Sequence, residues 1–135
     1  MDKLLNTLDP VMQFINHHEP YKSLLSVHHE YLTKHLEQAF YAKGKTILQP
    51  SDGTVNCLYI IKYGLVHLEG TDIRFSTGDS FSLCWLLKGV KVPAPLIAQK
   101  STICFCLQRQ DFEYLMQQSP AFHMYCMQSI NSANE

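Results

Sequence analysis

The stretch "FSTGDSFSLCWLLKGVKVPAP", residues 75–95, decides how this chain is read. A Gly78-Asp79 turn runs straight into a short helical run from Leu83. That is the layout of a loop offering free backbone N–H groups to an anion. Yet the stretch contains neither arginine nor glutamate.

On either side of it the hydrophobic period is that of strands. "TIL", "CLYIIK", "LVHLEG", "IRFS", "LIAQ" and "TICFCL" are short apolar or alternating runs divided by Gly, Pro, Asp and Ser. Gly64 in "YIIKYGLVHL" is expected to close a tight hairpin, with further turns at Gly70-Thr71-Asp72 and Ser76-Thr77-Gly78-Asp79. Short strands at even spacing over about residues 45–108 predict an antiparallel β-roll, a jelly roll, in a mainly β fold.

Helices are predicted before and after the roll. The first part, about residues 9–41, opens at Asp9-Pro10, an N-cap and N1 pair, with Val11, Phe14 and Ile15 on one face. A second helix from Ser26 carries Val27, Tyr31, Leu32, His35, Leu36 and Ala39 at helical spacing. The last part, about residues 110–131, buries Phe112, Leu115 and Met116. It then restarts at Ser119-Pro120 with Phe122, Tyr125, Cys126 and Ile130. Without repeats or a linker, the 135 residues read as one domain.

Bulk composition narrows the function classes. Hydrophobic residues make up 46% and charged residues 17%, which suits a packed core. A formal net charge of −1 supplies no field for gathering nucleic acid or an anionic membrane. "MDKLLNTLDPVMQF" is read as lacking the positive start, long apolar run and small-residue cleavage site of a signal peptide, and no apolar run approaches a bilayer span. Five cysteines, an odd number without CxxC spacing, fit reduced thiols in a cytoplasmic protein.

Several stretches taken together resemble the cyclic nucleotide-binding domain family. "FYAKGKTILQPSDGTVNCLYIIKYGLVHL" resembles that family's aromatic, Lys-Gly, strand and "LYII-x-x-G-x-V" opening. "FSTGDSFSLCWLL" resembles its "F-x-x-G-D-x-F-G-E-x-x-L-L" turn and cassette helix, and "STICFCLQRQDFEYLMQQSPAF" its closing strand and helices. The likeness runs from about residue 19 to 126. Within the family, "EYLTKHLEQAFYAKG", "LYIIKYG" and "SPAFHMYC" are similar to a bacterial group. In that group the domain precedes CBS motifs and a nucleotidyltransferase-like region in signal-transduction proteins.

The resemblance implies a ligand-binding cassette formed by Gly78, Asp79, Phe81, Ser82, Leu83, Cys84, Trp85, Val92 and Ala94. It places Ser82 at the family's glycine, Leu83 at the glutamate that takes the ribose hydroxyl, and Val92 at the arginine that neutralises the phosphate. Arginine's two-pronged contact is not copied by lysine, so Lys88 and Lys91 are weak substitutes. Stranding a buried charge costs about 2–5 kcal/mol. At about 1.4 kcal/mol per tenfold, a micromolar site falls toward the millimolar range or beyond. Ordinary binding of cAMP or cGMP is therefore not expected. Two readings of the remaining apolar segment stay open. It fills its own pocket, or it takes an uncharged effector beside Trp85.

Other motifs carry less. "HHEYLT", residues 28–33, misses the zinc pattern HExxH because residue 33 is Thr33. His28, His29 and His35 read as surface or partly packed helix residues, and His17-His18 as a helix end. Cys104 and Cys106 share a strand face as small core residues, and His67, the lone strand histidine, argues against a metal cupin. No Walker loop, hydrolase elbow or GxGxxG occurs. The chain is thus expected to be non-catalytic, with no metal and no cofactor.

Two functions follow. One is a regulatory sensor domain answering a small-molecule effector other than cAMP or cGMP. It would pass the signal to downstream domains of the same polypeptide or to a partner protein. The other is an interaction or dimerisation module without a ligand, including a homodimer. A transcription factor, the third and weaker option, would need a helix-turn-helix after the roll.

Overall fold

Seven strands lie between Glu37 and Gln108, among the described residues 10–18 and 21–133 of the computed structural model. They are β1 Glu37–Tyr41, β2 Thr46–Leu48, β3 Cys57–Tyr63, β4 Leu65–Leu68, β5 Arg74–Ser76, β6 Leu96–Ala98 and β7 Thr102–Gln108. One sheet has the order β1-β7-β3 and the other β2-β6-β4-β5, every pairing antiparallel. Strand β7 is central, and its buried side chains face both ways, which is why "TICFCL" reads as a continuous apolar run rather than an alternating one. With the six-residue helix α3, Leu83–Lys88, these strands make a compact β unit, Glu37–Arg109.

Gly64 does not close a hairpin. Strands β3 and β4 belong to different sheets, so Gly64 is the corner at which the chain leaves one sheet for the other. Its φ is +132°, and a Cβ built there would lie 2.7 Å from the Cα of Thr102. The buried Thr102 hydroxyl accepts the Leu65 N–H at 3.3 Å and donates to the Lys100 carbonyl at 2.8 Å. The corner is therefore held by close backbone approach and one hydroxyl.

The helical unit draws on residues up to Leu36 and from Gln110 onward. It holds α1 Pro10–His17, a 3-10 turn at Tyr21–Ser23 and α2 Ser26–His35. After the roll come α4, which opens at Arg109 and runs to Gln118, and α5 Pro120–Ala133. Phe14, Ile15, Tyr21, Leu24, Leu32, Phe112, Leu115, Phe122 and Cys126 are buried. Phe112 and Phe122 meet edge to face at 5.8 Å. At Ser119-Pro120 the expected cap is present, with Ser119 Oγ accepting the Phe122 N–H at 3.1 Å. His17 and His18 donate from Nδ1 to the carbonyls of Gln13 and Phe14, 2.6 and 2.9 Å away, at the last turn of α1.

Three expectations need correction or a limit. The helical period predicted to about residue 41 stops at His35, where Leu36 turns to extended dihedrals. Glu37–Tyr41 is a strand because Ala39 and its neighbours pair with buried β7, which outweighs local propensity. The buried stripe of α2 is His28 and Leu32, spaced by four, so Val27 faces solvent and His28, expected at the surface or partly packed, is buried. Asp9 and the Ile130 side chain lie outside the described residues.

Candidate functional site

The loop after β5 is zipped onto the edge of β3. Gly78, at φ +94°, lets the chain reverse, and its N–H donates to the Ile61 carbonyl at 2.8 Å. The Ile61 N–H returns to the Asp79 carbonyl at 2.9 Å, and the Phe81 N–H reaches the Tyr59 carbonyl at 3.2 Å. The Asp79 carboxylate is used locally, since Oδ2 accepts the Ser76 N–H at 2.7 Å. Gly78 and Asp79 thus build the turn.

Ser82 continues this attachment through its side chain. It is fully buried, accepts the Tyr59 N–H at 2.9 Å and donates to the Cys57 carbonyl at 2.8 Å. A glycine at this position would leave both backbone groups of β3 without that partner. Because its hydroxyl is spent on β3, Ser82 makes no side-chain cap on α3. Phe81 stacks on Tyr59, with centroids 5.2 Å apart, and tilts against Phe75 at 5.9 Å.

The positions assigned to the two polar anchors are closed to solvent. Leu83 is 6% exposed and Val92 is 1% exposed, while Leu86 between them is fully buried. Cys84, Trp85 and Ala94 are half-buried. Lys88 and Lys91 are exposed, and Lys91 is tied to Thr54 by an isolated β-bridge. Gly78–Ser82 thus run along the edge of β3, while Leu83 and Val92 are turned in and Lys88 and Lys91 are left out.

Cys104 and Cys106, expected on one strand face, belong to a larger group whose other members were not singled out from the sequence. Tyr59 lies opposite Cys106 and Ile61 opposite Cys104, while Glu37 and Ala39 of β1 face the same two cysteines from the other side. Cys57 and Tyr41 lie at alternate positions on the same strand faces. Loss of solvent pushes the Cys104 and Cys106 thiols up to about 12 and the Tyr41 hydroxyl also to about 12. The same cause raises Tyr59 further and Cys57 as well. Neutral thiols in that setting are poor nucleophiles and poor metal ligands. The period-2 spacing of Cys57, Tyr59 and Ile61 against Cys104 and Cys106 was the signal available.

Among the described residues no group of three or more His, Cys, Asp or Glu could hold a metal ion. No helix there is long and apolar enough to cross a membrane. An open groove does occur, but in the helical unit, lined by Met116, Pro120, His123, Met124 and Met127.

No sequence-family profile matches the chain, and no curated protein matches it. Solved structures do. The sensor domain of the transcriptional regulator DNR from Pseudomonas aeruginosa superposes with a TM-score of 0.75 at 12% identity, over 90% of this chain and 91% of that one. The regulatory domain of Toxoplasma gondii PKA with cAMP gives 0.73 at 15% identity, over 94% of this chain and 50% of that one. Thermus thermophilus Catabolite Activator Protein gives 0.66 at 20% identity, over 90% and 57%. The chain spans about half the length of the last two. What is shared is the fold: mainly antiparallel sheet with helices before and after it in the chain, the β-roll of cyclic nucleotide-binding domains.

Proposed function

We propose that the chain is a non-catalytic regulatory sensor domain whose cassette does not take cAMP or cGMP in the family's usual way. One observation carries this reading: Leu83 and Val92, at the two anchor positions, are buried apolar residues. Its regulatory part is supported by the fold shared with a sensor domain and a kinase regulatory domain. The whole chain is read as one cyclic-nucleotide-binding-like domain of a cytoplasmic bacterial signal-transduction protein. CBS motifs and a nucleotidyltransferase-like region follow in that protein and receive the signal.

The supporting physics is local. A phosphate placed at Val92 would lose its hydration and gain no counter-charge. The Ser82 bonds to β3 further oppose opening of the loop. Isothermal calorimetry with cAMP and cGMP tests the reading. No heat of binding is expected in the micromolar range, and a micromolar site for either nucleotide would overturn it.

A further inference from the structure

Among the described residues, the edge of β1 is where the fold leaves hydrogen-bonding capacity unused. The two sheets have four edges, β1, β3, β2 and β5. The β3 edge is covered by the zipped loop from Gly78 to Ser82. Strands β2 and β5 have three residues each; β2 has an irregular register, and the Ser76 N–H of β5 is taken by Asp79. Strand β1 differs on each count. It has five residues, pairs with β7 in unbroken register, and contains no lysine or proline. Among the described residues, no backbone group of Glu37–Tyr41 bonds to anything beyond β7. Proteins ordinarily shield such an edge with charge, proline, a bulge or a cover.

The surroundings of this edge have a definite chemistry. Phe40, 65% exposed, lies across from Ile103, and Ile103 lies across from Tyr63, which is 57% exposed. These three therefore form an apolar row on one face of the sheet. Lys100 Nζ lies 5.5 Å from the Tyr63 ring centroid. Lys43 and Lys45 follow β1 in an exposed turn that the Gly44 N–H and Lys45 carbonyl fasten to Ala98. None of these lysines meets a carboxylate among the described residues. The strand's own acid, Glu37, stands at the opposite end.

We propose that β1 is a docking strand for an extended, acidic segment of a partner protein. The segment adds to the sheet by main-chain hydrogen bonds, places an apolar side chain beside Phe40, and sets its carboxylates toward Lys43 and Lys45. The charge complementarity selects an acidic segment and fixes which end of it lies near the turn. This site is independent of the cassette reading, so failure of either leaves the other standing.

The test uses the whole chain, labelled with nitrogen-15, and a synthetic peptide of alternating valine and threonine with two aspartates at one end. Expected are amide shifts centred on residues 37–41, weaker binding at high salt, and binding about tenfold weaker in the Lys43→Glu/Lys45→Glu double variant. Phe40→Thr, at an exposed position, should weaken binding while leaving the spectrum folded. No shift at millimolar peptide overturns the proposal, as does equal binding of a peptide with lysines in place of aspartates. Sedimentation showing a dimer that Phe40→Thr abolishes would also overturn it, giving the edge to a second copy of the chain.

Discussion

Ser82 Oγ accepts the backbone N–H of Tyr59 at 2.9 Å, so a side chain of the cassette occupies a place in the strand ladder of β3. The same oxygen donates to the Cys57 carbonyl at 2.8 Å. One buried hydroxyl thus satisfies two backbone groups that a glycine would leave to water or to a ligand. Replacing Ser82 with alanine should cost about 1–3 kcal/mol, the penalty for a buried donor left unpaired. Urea unfolding measures it. A change below about 0.5 kcal/mol would mean that the loop relaxes and the hydroxyl does not hold it.

Gly64 is the corner between the two sheets, and its substitution should be among the most damaging in the roll. Alanine at φ +132° is strained, and its Cβ would meet the Thr102 backbone at 2.7 Å. Backbone cannot rotate away as a side chain can. Gly64→Ala should lower stability by about 3 kcal/mol or more, seen as a loss in the urea midpoint. Gly44, where an added Cβ meets nothing within 4 Å, is the control and should show only the cost of its positive φ.

The roll was legible because its evidence is local. Apolar "CLYIIK" and "TICFCL" and the turn at Ser76–Asp79 each carry their own strand or turn chemistry. What was not legible depends on partners far along the chain. "EQAFY" follows a helix and has alanine and glutamine, so it reads as more helix until β7 arrives beside it from residues 102–106. Gly64 looks like a hairpin glycine because nothing in "YIIKYGLVHL" says that its two strands join different sheets. The burial of Leu83 and Val92 agrees with their apolar character, but Ser82's hold on β3 required knowing which strand edge lay next to it.

Tyr31 and Asp111 join α2 to α4 within the helical unit. The Tyr31 hydroxyl donates to Asp111 Oδ1 at 2.8 Å, and its ring stacks between His35 at 4.0 Å and Tyr114 at 4.3 Å. Burial and this bond to a carboxylate raise the hydroxyl to about 12. Tyr31→Phe keeps the stack and removes the donor, leaving the buried Asp111 with His35, 3.9 Å away, as its side-chain partner among the described residues. A loss of about 1–3 kcal/mol is expected in thermal or urea unfolding. Combining it with Asp111→Ala should cost less than the sum of the two, since both remove the same hydrogen bond.

Alkaline pH should weaken the fold. Burial raises the thiols of Cys104, Cys106 and Cys126 from 9.0 to about 12. Between those values the unfolded chain has released these protons and the native chain still holds them. Native binds more protons than unfolded, so stability falls as pH rises. The thiol contribution is complete below about pH 9 and is lost on the way to about pH 12. Urea midpoints measured from pH 8 to 11 should decline steadily, and Cys104→Ala with Cys126→Ala should flatten the decline. An unchanged slope in that variant would show that other groups carry the effect.

Val92 provides the most direct test of the cassette. At 1% exposure it has no room to solvate a charge, so Val92→Arg should lower stability by about 3 kcal/mol or more. If Val92 stands where the fold can present a cation to a phosphate, that buried guanidinium lacks only its counter-ion. Millimolar cAMP should then raise the melting temperature of Val92→Arg and leave the natural chain unmoved, because a ligand that binds only the native state stabilises it. Val92→Met, which disturbs packing without adding charge, should melt early as well but ignore the nucleotide. If cAMP rescues neither variant, Val92 is a core residue that no longer faces a ligand site.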